Sequence, residues 1–181
     1  MNDTRSEIVR FAEELIRTKG YNAFSYADIS KLVKIKNATI HYYFPSKSDL
    51  GVEVIKGTVS VFKEHTSSWV NLPYREQFKN YVAIYEQSKN NNWVCIMGAL
   101  LPIYDTLSDS MKAELERLAN MILEWLTDLF AKGKETNVFH YTESPKTKAY
   151  LVQSSLLASL LFNKVLGKDG YQTIHDSILM E

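Results

Sequence analysis

Apolar residues recur with helical spacing along nearly the whole chain. Ile8, Phe11, Ala12, Leu15 and Ile16 stand at i, i+3, i+4, i+7 and i+8, the face of an amphipathic helix that Gly20 ends. Ser25, with Asp28 three residues on, forms a capping box for a second, short helix whose inward residues are expected to be Ile29 and Leu32. A third short helix is predicted from about Asn37 to Phe44, where Pro45 bars continuation. Ser46 and Asp49 repeat the capping pattern and start a fourth helix, expected to run to about Ser68 with Pro73 beyond its end.

Tyr74 to Lys89 reads as a fifth helix with Phe78, Tyr81, Val82 and Tyr85 on one side. Asn90-Asn91-Asn92 then makes a polar break. Trp93 to Tyr104 is predicted as an apolar helix disturbed by Pro102. The strongest periodicity lies between Ser108 and Lys132, where Met111, Leu115, Leu118, Ile122, Leu126 and Leu129 share one face and Gly133 follows as the expected stop. Ser144-Pro145 caps the next helix, which Gly167 closes, and a last helix spans about Tyr171 to Met180. No strand alternation or internal repeat rivals these patterns. The chain is therefore predicted to be all-α, with about nine helices.

The helix from Lys146 to Leu166 is apolar on nearly all sides, which one core contact does not require. Its second face needs a partner. Ser155 and Ser159, four residues apart, would permit close helix approach; a central place in its own monomer is the other reading.

Composition narrows the class. The 181 residues are 45% hydrophobic and 23% charged, ordinary for a globular protein. No apolar run reaches the roughly 20 residues of a membrane span, and the N-terminus lacks a secretory core, so a cytoplasmic location is expected. The single cysteine, Cys95, excludes an internal disulfide and any cysteine-rich zinc site. His65, His140 and His175 match no ligand spacing, so neither metal nor cofactor is expected.

Net charge is zero, but from Ile29 through Ser48 no acid occurs, while Lys31, Lys34, Lys36 and Lys47 do. Such a stripe is either a solvated helix face or a small DNA-reading surface. The residues around it favour DNA. A helix lying in the major groove needs short polar residues near its start and an apolar back. Asn37, Ala38, Thr39, His41 and Tyr42 provide the first, and Ile40 and Phe44 the second. Asn can pair bidentately with adenine, Ala and Thr methyls can touch a thymine methyl, and Tyr hydroxyls and Lys ammonium groups such as that of Lys36 reach phosphates.

Residues 25–50, SYADISKLVKIKNATIHYYFPSKSDL, resemble the DNA-binding signature of the TetR family of regulators. The matching elements are Ser25, Asp28-Ile29, Thr39, Tyr42-Tyr43-Phe44, Pro45-Ser46-Lys47 and Leu50. The stretch VCIMGALLPIYDTL more weakly resembles one branch of the family. The resemblance implies a helix-turn-helix DNA-binding domain over 1–50 and a ligand-sensing, dimerising domain over 51–181, with the fourth helix (about 46–68) connecting them. It further implies that Lys47 and Ser25, at the heads of the fourth and second helices, hold phosphates. Lys34 stands where the family carries a turn glycine, and a left-handed conformation there would cost roughly 1 kcal/mol. Ser30 replaces a usual alanine and His41 a usual tyrosine.

The resemblance also implies a homodimer joined through the last two helices and a small-molecule effector. Trp, Tyr and Met concentrate between residues 81 and 125, and Tyr85, Met97, Leu101, Tyr104 and Trp125 are candidates for the effector site. No arginine occurs between Arg75 and Arg117, which favours an apolar or aromatic effector that is neutral or cationic. The function expected is a ligand-responsive transcriptional regulator, a repressor on a palindromic operator. The alternatives are a redox-responsive regulator working through Cys95 and an enzyme; against the latter, no paired nucleophile and base can be picked out.

Overall fold

In a computed structural model of the protein, which describes residues 4–180, the described residues form nine α-helices and two short 3-10 turns, with no strand. Three helices make the N-terminal head: α1 (Thr4–Lys19), α2 (Tyr26–Val33) and α3 (Asn37–Tyr43). The body comprises α4 (Lys47–Trp69), α5 (Tyr74–Asn90), α6 (Ile96–Leu100), α7 (Asp109–Glu135), α8 (Pro145–Leu166) and α9 (Lys168–Met180). The expected domain boundary at 50/51 falls inside the unbroken α4.

The caps act where the side chains promise them. The Ser46 backbone N–H and hydroxyl both donate to the Asp49 carboxylate, at 2.9 and 2.7 Å, and the Asp49 N–H donates to Ser46 Oγ. Ser144 caps α8 with Pro145 at its first position, and Gly167 closes it at φ 76°. Lys34 adopts the left-handed conformation, φ 59° and ψ 44°, so a lysine bears the strain that glycine would avoid.

Three local expectations are corrected. Leu32 is not an inward residue: it is 46% exposed, and α2 buries Tyr26 and Ile29 instead. Trp93 to Tyr104 is not one helix. Cys95 caps the short α6, and Leu101–Thr106 is a 3-10 turn because Pro102 cannot donate to the helical ladder. Gly133 does not stop α7, which runs on to Glu135. A Cβ at Gly133 would stand 2.1 Å from the Phe139 ring, so the glycine is there to let Phe139 pack across the helix. By length and composition alone, α8 could cross a membrane. In the fold it packs against α5, α7 and α9.

Head and body share one apolar core. Between them, Arg17 O at the end of α1 accepts from Val94 N at 3.0 Å and Arg5 of α1 pairs with Glu53 of α4 at 3.0 Å. Within the body, Ser48 on α4 hydrogen-bonds Ser108 at the start of α7, and Met111 of α7 lies against Gly51, where a Cβ would come within 2.7 Å. Along α8, Ala149, Val152, Leu156 and Leu160 face inward, while Tyr150, Leu151, Leu161, Phe162, Val165 and Leu166 are exposed. Ser159 is buried within its own chain and donates to Leu156 O at 2.6 Å.

Candidate functional site

Helix α3 is set on the surface by what lies behind it. Ile40 is fully buried and Phe44 nearly so. Tyr26 of α2 donates its hydroxyl to Phe44 O at 2.9 Å, joining the two helices across the turn. Burial, with Asp49 and Tyr21 adding to it, pushes the Tyr26 hydroxyl up to about 12, so it stays a donor at physiological pH. With its back anchored, α3 turns Lys36, Asn37, Ala38, His41 and Tyr42 to solvent, and Thr39 is half-buried. Tyr42 is 81% exposed, which removes packing as its role, while Tyr43 packs against the core. His41 stands edge-on to Tyr26, 4.8 Å between ring centres, with Nδ1 3.4 Å from Pro45 O.

Ser25 and Lys47 are placed differently from these. The Ser25 backbone N–H and hydroxyl both donate to Asp28 Oδ2 at 2.8 Å, so the hydroxyl proton is engaged inside the cap. The Lys47 ammonium donates to Phe24 O and lies 4.2 Å from the Phe24 ring centre and 4.7 Å from that of Tyr21. Burial pushes its pKa below the usual lysine value, and Asp28 pulls it partly back. Two of its three protons remain for another acceptor.

The body contains a cavity of about 140 Å³ bounded by α1, α4, α5, α6 and α7. Tyr85 and Met97 are in its wall. Leu101, Tyr104 and Trp125 are not. Leu101 is 42% exposed, Tyr104 donates its hydroxyl to Glu116 at the surface, and Trp125 packs among Phe62, Trp69 and Tyr81 on the side of an open groove. The kinked 3-10 turn accounts for the first two, because it swings Leu101 and Tyr104 off the helical face on which an unbroken helix would have put them.

The wall also takes residues that the sequence reading passed over: Glu13 and Arg17 from α1, Thr58, Val61, Phe62 and His65 from α4, Ser88 from α5, Leu118 and Ile122 from α7. Helical periodicity marks Phe62, Leu118 and Ile122 as inward-facing, but nothing in the residue order says that they meet around a void. Tyr81 and Tyr85 both donate to Gln153 Oε1 of α8, an acceptor buried to 5% exposure. Burial holds both phenols well above the usual tyrosine range.

Cys95 lines the same cavity. Its Sγ accepts from Gly98 N at 3.3 Å as the cap of α6. Burial pushes the thiol up from its ordinary value, against the pull of the Gly98 N–H and Arg17. A thiol held protonated is a poor nucleophile and slow to oxidise. No cluster of metal-ligating side chains occurs among the described residues.

Comparison with known proteins agrees with this geometry. Residues 8–54 match the family described as bacterial regulatory proteins, tetR family. An HTH-type transcriptional regulator in the lacX 3′ region of Lactococcus lactis subsp. lactis is 23% identical over 124 residues, which is 65% of this chain and 63% of that relative, less than two thirds of its length. Over the whole fold, a TetR transcriptional regulator from Legionella pneumophila is similar with a TM-score of 0.88 and 29% identity, covering 98% of this chain and 96% of the other. A TetR-family regulator from Agrobacterium tumefaciens is similar with a TM-score of 0.89 and 25% identity over the same shares. Residues 8–54 thus carry a tetR-type helix-turn-helix, and the whole chain shares its all-helical fold with TetR-family transcriptional regulators.

Proposed function

We propose that the protein is a ligand-responsive repressor that binds a palindromic operator as a homodimer and leaves it when a small molecule fills the body cavity. The observation that carries this reading is the ownership of the cavity wall. Glu13 and Arg17 come from the head's first helix, and Thr58, Val61 and His65 from the helix that continues out of the head. An occupant therefore touches the elements whose placement sets where α3 points.

For release, the ligand must prefer the arrangement that does not fit the operator, by as much free energy as the operator loses. The apolar interior favours an apolar or aromatic effector, neutral or cationic. On the DNA side, Asn37, Ala38, Thr39 and His41 read base edges, and Lys36, Tyr42, Ser25 and Lys47 contact phosphates. The head places one α3 per chain, and half-sites one helical turn apart require two. The exposed apolar face of α8 supports a second copy as its cover, with α9 beside it.

The reading is tested with DNA from upstream of the protein's own gene and its neighbours. Fluorescence anisotropy is expected to find one sequence-specific, palindromic site bound by two chains, and a chemical library to yield hits that both raise the melting temperature and release that site. A 21 kDa monomer by sedimentation at micromolar concentration, or hits that never alter DNA affinity, would overturn it. Leu161→Asp is expected to leave a folded monomer with operator affinity down at least tenfold, since an unpaired buried charge costs about several kcal/mol.

A further inference from the structure

The cavity wall is selective in what it can offer. Thr58 and Ser88 donate their hydroxyl protons to backbone carbonyls of their own helices, Val54 O at 3.2 Å and Ile84 O at 3.0 Å. Tyr81 and Tyr85 donate theirs to Gln153. Each of these oxygens has only lone pairs left for an occupant. His65 Nδ1 is buried with no hydrogen-bond partner, and in the Nε2–H tautomer it too is an acceptor.

The charged groups of the wall sit on α1. Arg17 Nε and Nη2 both bond Glu13 Oε1, at 2.8 and 2.7 Å, and the guanidinium lies 5.4 Å from the Trp93 ring centre. The two neutralise each other, but the Arg17 side chain is 13% exposed and lies against Trp93, whereas Glu13 is one-third exposed and no contact falls on its Oε2. A carboxylate or phosphate entering here would meet the Glu13 carboxylate. A donor would meet a row of acceptors.

Size narrows the choice. A cavity of about 140 Å³ is close to the roughly 150 Å³ that encloses a benzene ring in an engineered protein interior. One ring, or a short apolar chain, fits among Phe62, Ile96, Met97, Leu118 and Ile122.

We infer that the cavity seats a small hydrophobic amine, its ring or chain in the apolar interior and its N–H donors on Glu13 and the hydroxyl lone pairs. This rests on the reading of the cavity as the effector site and adds the chemical class of the effector. It also names the point of action. An ammonium at Glu13 competes with Arg17, whose backbone carbonyl fastens α1 to Val94 ahead of α6, so the ligand acts on the head through the head's own helix.

The test uses the full-length protein and three probes sharing one ring and a two-carbon chain: 2-phenylethylamine, 3-phenylpropionate and ethylbenzene. Calorimetric titration is expected to rank the amine about tenfold or more ahead of the other two, the yield of one charge-assisted hydrogen bond. Glu13→Gln is expected to remove most of that advantage while leaving ethylbenzene unchanged. The wild-type ranking stands by itself if the variant folds poorly. Equal or tighter binding of 3-phenylpropionate, no binding of the amine, or an amine affinity indifferent to Glu13→Gln in a folded variant would overturn the proposal. Operator titrations separate it from the broader reading. A carboxylate that binds and releases DNA would sink the amine seat but keep the ligand response, and an amine that binds without releasing DNA would do the reverse.

Discussion

Lys36, Asn37, Ala38, His41 and Tyr42 reach solvent together because they lie on one short helix and its cap, and their shared face is set by one buried isoleucine and one tyrosine bridge. The cavity takes its wall from five helices, bringing Glu13 of α1 together with Ile122 of α7, far apart along the chain. The α3 surface draws on one short helix and the support directly behind it. The cavity is interlocked, because its tyrosine hydroxyls answer to Gln153 on α8 and its ion pair belongs to the head. A reading surface wants independence of its parts. A sensing site wants dependence, since a ligand that touched one element alone would move nothing.

The harshest challenge to this contrast is Ile40→Asp. A charge beneath α3 is expected to cost about 4 kcal/mol or more and to abolish operator binding, seen as a lowered melting temperature and a flat anisotropy titration. Loss of 2-phenylethylamine affinity in the same variant would tie the cavity to the head. Unchanged amine affinity would show the cavity to belong to the body alone, and the contrast would fail.

Next in size is Gln153→Leu, which removes the acceptor shared by Tyr81 and Tyr85 and leaves two buried hydroxyls with only each other, 3.2 Å apart. Denaturant unfolding should record a loss of about 2–3 kcal/mol with operator affinity of the unliganded protein retained. A neutral result would mean that the hydroxyls find other acceptors and the cavity is less interlocked than its hydrogen bonds indicate.

On the reading surface, Asn37→Ala is expected to lose about 1–3 kcal/mol of discrimination at one base pair per half-site, with little change on scrambled DNA. Lys47→Ala should weaken binding evenly across sequences and lower the salt slope by about one. The two effects should add, as independent parts do. An unchanged salt slope would mean that Lys47 only fastens the start of α4 to Phe24 O, the bond it makes here.

The smallest effect is expected at Cys95. With its thiol held protonated by burial, Cys95→Ser should shift stability by about 1 kcal/mol or less and leave operator binding unaltered, with or without mild peroxide. Peroxide-induced release by the wild type, reversed by a thiol reductant and absent in the variant, would favour redox sensing.

Helix identity and the head are readable from residue order because the forces involved act within a few positions. Capping boxes at Ser25 and Ser46, the apolar steps from Met111 to Leu129 and the proline after Phe44 each decide a local conformation without reference to distant chain. The reading surface inherits that locality. Even the strained lysine at the α2–α3 turn is implied by the length of the turn and the matching motif. The errors fall where a neighbour distant in sequence decides. Gly133 looks like a stop until Phe139 lies across it, and Leu32 looks inward until Tyr26 and Ile29 turn α2 by other contacts. The cavity is the extreme case. Periodicity tells which side chains leave water, but a packed contact and the rim of a void use the same residue types. Only the crossing of α1 over α4 and α6 separates Tyr85 and Met97, which line the space, from Trp125, which fills core beside it, and brings in Glu13 and Arg17 from a helix that pattern alone assigns to the head.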